Sequence, residues 1–112
     1  MNDSKQIIAA LGALAQSHRL AAFRVLVEAG PTGLPAGDIA TRLEIAASSL
    51  SFHLAQLERA GLVHAVRAGR SIIYSADFAA MTSLVGYLTE NCCGGGTCAP
   101  ADATLPTERN AA

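Results

Sequence analysis

A chain of 112 residues with a net charge of −1 has room for one modest hydrophobic core, and a second subunit would help to cover it, so a dimer is expected. No apolar run approaches the roughly 20 residues that span a bilayer, and Met1-Asn-Asp-Ser-Lys lacks the apolar stretch of a secretory leader. Together these exclude a membrane segment and give the expectation of a cytoplasmic protein. The near-neutral total rules out a uniformly basic nucleic-acid binder. Four arginines against Glu44 and Glu58 between Arg42 and Tyr74 leave a local basic excess, for which a shallow salt dependence of DNA binding is expected.

Residues 5 to 16 place Ile7, Leu11 and Leu14 on one stripe, with Gly12 the only breaker, and predict a first helix. Ser17 is placed to cap a second, in which Leu20, Phe23 and Val27 recur on one side while Arg19, Arg24 and Glu28 fall outside it; His18 reads as a boundary or surface residue. Gly30-Pro31-Thr32-Gly33 ends that helix. A third is predicted from Leu34 to Leu43, with Pro35 in its first turn and Ile39 and Leu43 buried. Glu44 to Ala47 is then a turn.

Ser48 to Val63 is the most informative stretch. Leu50, Leu54 and Leu57 form one buried stripe, and the opposite face carries Ser48, Ser49, Ser51, His53, Gln56 and Arg59, none of which a helix requires. Such a face suits base edges and phosphates. Gly61 can take the left-handed conformation that stops a helix, letting Leu62 fold back onto Leu57. Ala46 offers no side-chain cap, a loss of about 1 kcal/mol, unless the helix begins later and Ser48 serves. Helix, turn and helix at this spacing make a helix-turn-helix whose second member offers its first residues to a major groove.

Past Val63 the periodicity becomes alternating, and Gly69 between Ala68 and Arg70 marks a hairpin tip with Ser71 to Ser75 as the returning strand. Arg67 and Arg70 flank that tip, where they can reach phosphates or a narrow minor groove.

The run Ser51-x-His53-Leu54-x-x-Leu57-x-x-Ala60-Gly61-Leu62-Val63, followed by Arg67-Ala-Gly-Arg70 and Ile73-Tyr74, resembles the recognition helix and wing of the ArsR/SmtB family of metal-sensing repressors. The resemblance covers roughly residues 5 to 91. It implies a mainly α winged helix-turn-helix of about five helices plus a two-stranded wing. It also implies operator DNA as a partner and a homodimer formed through the first and last helices.

Asp77 begins the last helix, with Phe78, Met81, Val85 and Leu88 on a stripe that one subunit alone cannot cover. The domains are thus a winged helix-turn-helix over 1–91, a cysteine ligand loop over 92–98 and a tail over 99–112, small, polar and without period, for which disorder is expected.

All three cysteines, Cys92, Cys93 and Cys98, lie in that loop. An odd number in a reducing compartment argues for a metal or redox site over a disulfide framework. Adjacent cysteines at a helix end followed by three glycines can build a cup of three sulfurs. Structural zinc wants four ligands, whereas trivalent arsenic or antimony, with a lone pair in the fourth direction, is satisfied by three soft thiolates. The resulting expectation is a repressor released from its operator by As(III) or Sb(III), with no resident cofactor. Cadmium, bismuth or methylarsenite sensing, or a thiol redox switch, remain as alternatives. The better-known family sites are absent: there is no cysteine in Leu34 to Leu43, and the zinc-type pairs would fall on Asp77 with Ala79 and on Glu90 with Cys93. A cysteine cluster at this end resembles a third variant found in some arsenic repressors. No Cys-x-x-Cys pair, phosphate loop or nucleophile–base arrangement suggests an enzyme.

Overall fold

Asp3 accepts a hydrogen bond from the Gln6 backbone N–H at 2.9 Å and so starts the first helix of a computed structural model that describes residues 3–95. Helix α1 spans Ser4–Leu14 and buries Ile7 and Ala10; Leu11, expected inside, is exposed, so the buried stripe is rotated by one position. Helix α2, Ser17–Ala29, is capped by the Gln16 side chain, which accepts the Arg19 N–H at 2.9 Å. Ser17, expected as the cap, is already helical. Ala22, Phe23 and Leu26 of α2 are buried in the core.

After α2 the sequence expectation needs correction. Leu34–Pro35 is not the first turn of a helix but a short strand, β1, and helix α3 occupies Ala36–Leu43. The reason lies in the proline: it disfavours helical backbone at the residue before it and itself sits here at φ −65, ψ 150, extended. An edge strand tolerates its missing N–H. β1 pairs antiparallel with β3, Leu34 opposite Tyr74, so the sheet has three strands in the order β1-β3-β2 instead of the two expected. The pairing requires Gly33 at φ +70, where a Cβ would collide with the Tyr74 carbonyl.

Helix α4, Ala47–Arg59, follows a turn closed by Glu44 in left-handed backbone. Its cap residue is Ala46 with no side-chain bond, and Ser48 lies inside the first turn, so the hydroxyl cap is missing altogether. Leu50, Leu54 and Leu57 are buried as the spacing predicts. The stop is as expected too: with Gly61 at φ +81, its N–H bonds the Glu58 carbonyl at 2.9 Å, and the Leu62 N–H bonds that of Leu57 at 3.0 Å. Leu57 and Leu62 both belong to the core cluster.

Strands β2, Val63–Ala68, and β3, Ser71–Ala76, form the hairpin, in register from Val63 opposite Ala76 to Ala68 opposite Ser71. Helix α5, Phe78–Thr89, begins on Asp77, whose Oδ1 accepts the Ala80 N–H at 2.9 Å and whose Oδ2 lies 3.0 Å from His64 Nε2. Asp77 also donates its backbone N–H to the Leu62 carbonyl at 2.8 Å. Only Ala80 and Leu84 of α5 are buried, leaving Val85 and Leu88 exposed in the single chain, as are Ile8 and Leu11 of α1. A 3-10 turn, Cys92–Gly95, follows α5. The proposed tail over 99–112 lies outside the described residues, and no helix among those described is long and apolar enough to cross a membrane.

Candidate nucleic-acid interface and cysteine cluster

Burying one side of α4 under α2, α3 and the root of the hairpin leaves its other side free. Ser48, Ser49 and Ser51 are exposed there, as are Arg67 and Arg70 on the hairpin. A cleft of about 330 Å³ is lined by Gly37 at the start of α3, Ser51 of α4, and Arg70, Ser71 and Tyr74 of the hairpin. The recognition helix and the wing therefore share one concavity that presents hydroxyls and a guanidinium. Burial, then the nearby Glu58 carboxylate, raises the Tyr74 pKa above its ordinary value, so its hydroxyl stays a neutral donor.

Two of the expected contact residues sit differently from the serines. Gln56 is half-buried and lines a second cleft with Arg19 and Arg59, between α1, α2 and α4. His53 is also half-buried and turned toward α2: its Nδ1 lies 3.4 Å from the Arg19 guanidinium, which can only donate, so the ring proton is on Nε2. Arg19 in turn donates from Nε to the Ala13 carbonyl at 2.6 Å, satisfying one of the carbonyls left over at the end of α1. The His18 ring lies 5.4 Å from that of His53. Burial, then Arg19, then His18 lower the His53 pKa below the usual histidine value, which keeps the ring neutral and the Arg19 bond intact near neutral pH.

Phe52, absent from the polar set read in the sequence, is 59% exposed on this same helix. The signal was present: two residues from Leu54 is a rotation of about 200°, so an apolar residue there is turned away from the core.

Cys92 and Cys93 follow the end of α5 in a tight turn, with positive φ at Asn91, Cys93, Gly94 and Gly95. Both are exposed, and their sulfurs lie 3.6 Å apart. Two sulfurs each bound at about 2.3 Å to one ion with near-tetrahedral angles would stand about 3.8 Å apart, so the pair is spaced to share an ion once both are thiolates. The same distance is far beyond a covalent S–S bond of about 2.05 Å, and no vicinal disulfide is formed. Cys93 is nonetheless disulfide-bonded. Cys98 lies outside the described residues, and among those described no three His, Cys, Asp or Glu side chains converge as a metal site.

The helical scaffold, the exposed second helix of a helix-turn-helix and the flanking hairpin define the winged helix-turn-helix class. A helix-turn-helix domain model matches residues 14–66. The transcriptional activator HlyU of Vibrio cholerae is 29% identical over 86 residues, covering 77% of each chain. A solved structure of HlyU has 32% identity over 76% of this chain and 92% of its own, with a TM-score of 0.62. An ArsR-like transcriptional regulator from Rhodococcus has 30% identity over 75% of this chain and 76% of its own, with a TM-score of 0.63. A homodimeric winged helix-turn-helix DNA-binding domain from Mycobacterium bovis, a possible ArsR-family regulator, has 25% identity, covers 82% of this chain and 85% of that one, and gives a TM-score of 0.62. The chain belongs to the ArsR-like family of winged helix-turn-helix transcriptional regulators.

Proposed function

We propose that this regulator is a homodimeric repressor that occupies a two-fold operator and releases it when As(III) or Sb(III) binds Cys92, Cys93 and Cys98. The observation that carries the reading is the pair of exposed sulfurs 3.6 Å apart at the end of α5. Arsenite arrives as a neutral trihydroxide; three S–As bonds replace three As–O bonds, three waters leave, and no net charge is buried. Ser48, Ser49 and Ser51 face the major groove, Arg67 and Arg70 reach phosphates, and Gln56 and His53, turned toward α1 and α2, support the helix from behind. Dimerisation through the exposed apolar residues of α1 and α5, as expected from the homodimeric relative, sets the two recognition helices one DNA turn, about 34 Å, apart.

Release has to be allosteric, because the sulfurs are not on the α4 face. Moving occupancy from 99:1 to 1:99 takes about 5.5 kcal/mol of differential affinity, within reach of three arsenic–sulfur bonds. The physical link is α5, whose capping residue Asp77 is bonded to Leu62 at the end of the recognition unit. Titrating the reduced protein on its own promoter with arsenite, antimonite, cadmium and zinc tests the proposal. Arsenite and antimonite are expected to release the DNA, and undiminished binding at saturating arsenite rejects the reading. A promoter reporter decides between repression and the activation exercised by HlyU.

The disulfide at Cys93 favours one second reading, a thiol redox switch. Mild peroxide then releases the operator without any ion, with a mass loss of two hydrogens. Arsenite instead adds arsenic and removes three.

A further inference from the structure

The α4 face offered to DNA is poor in residues that tell one base pair from another. Ser48, Ser49 and Ser51 are exposed there, and a serine hydroxyl donates or accepts with equal ease, so it pairs with purine and pyrimidine edges alike. No Arg, Lys or Asn stands on the first two turns of the helix. The exception on that face is Phe52, a large apolar ring held in solvent.

The ring is positioned. Its centroid lies 5.7 Å from that of His53 at an interplanar angle of 66°, an edge contact of the kind aromatic pairs prefer. His53 is tied through Nδ1 to Arg19, and Arg19 to the Ala13 carbonyl of α1. A continuous line of contacts thus runs from the end of α1, through α2, to a side chain on the exposed face of α4. The apolar feature of the major groove is the C5-methyl group of thymine, and phenylalanine is one of the side chains that meets it.

We propose that Phe52 is a specificity-determining residue that packs on a thymine methyl in each operator half-site, with His53 as the positioning residue that fixes its ring. The inference rests on the DNA-binding reading above and extends it to base choice.

The test begins with full-length reduced protein selecting duplexes from a random-sequence library. Each thymine of the enriched sequence is then replaced in turn by deoxyuridine, which lacks only the methyl. At one symmetry-related pair of thymines the wild type is expected to lose about fourfold in affinity per methyl removed. Phe52→Ala, whose ring lies outside the core, is expected to keep the wild-type melting temperature and to bind thymine and deoxyuridine duplexes equally. Phe52→Leu keeps part of the preference, and His53→Gln reduces it without shifting its position in the site. An enriched operator in which no thymine responds to methyl removal, or a response that survives in Phe52→Ala, overturns the assignment of Phe52. Failure to enrich any sequence overturns the DNA-binding reading beneath it.

Discussion

Helices α4 and α5 end in opposite ways, and under the proposed function the contrast separates what reads from what responds. At the end of α4 a left-handed glycine turns the chain, two backbone bonds close the last carbonyls, and Leu62 is fully buried beside Leu57. At the end of α5 Leu88 is 58% exposed, and the chain passes into an exposed turn that carries two sulfurs. The first arrangement costs much to disturb, so the reading surface keeps its shape. The second is cheap to rearrange, and a ligand can reshape it with modest binding energy.

Breaking the contrast at its strong end gives the largest effect. Leu54→Ala, at a site with no solvent exposure, is expected to cost 2–5 kcal/mol in urea unfolding, since the removed atoms leave a cavity. Leu88→Ala, the matched change at the loose end, is expected to alter subunit stability by less than about 0.5 kcal/mol. It should instead weaken self-association in sedimentation. Equal costs at both sites would erase the distinction. Next comes the joint between the two regions: Asp77→Ala removes the α5 cap and the His64 contact, at about 1 kcal/mol. Asp77→Asn, which retains a capping oxygen, should recover most of it.

The smallest effect concerns pH. Burial, Arg19 and His18 hold the His53 pKa below the ordinary value of 6.5, so the unfolded chain takes up that proton more readily than the folded one. Stability from this group is therefore present above pH 6.5 and is lost as pH falls through the folded value. Melting temperatures at neutral and mildly acidic pH should show that part of the slope vanish in His53→Gln.

What was legible in the sequence was local and periodic. The leucine spacing of α4 and its glycine stop, the alternation on either side of Gly69 and the Asp77 start of α5 each lie within one element, and each stands in the structure where it was read. The misreadings have a different origin. A two-residue strand such as Leu34–Pro35 has no period to detect, and its existence depends on a partner some forty positions away. His53 looked like an outward polar residue because its tie to Arg19 joins positions 34 apart. Gln16 took the cap that Ser17 seemed to own because the backbone is still extended at Gln16, φ −153, ψ 133, and already helical at Ser17. Phe52 was visible as the wrong chemistry for its face, and reading that face only for polarity passed over it. Of the cysteine cluster, the sequence gives the membership, and the described residues carry two of its three members.

Leu62 holds two jobs in one residue. Its N–H fastens the close of α4, while its carbonyl holds Asp77, the residue that caps α5. It is thus a fulcrum, with α5 as a lever arm of about 18 Å at 1.5 Å per residue. In the proposed release, a lateral pull of a few ångströms at the cysteine end would become a rotation of several degrees at the point where the DNA-facing helix is anchored, with no need for a chain of side chains to carry it.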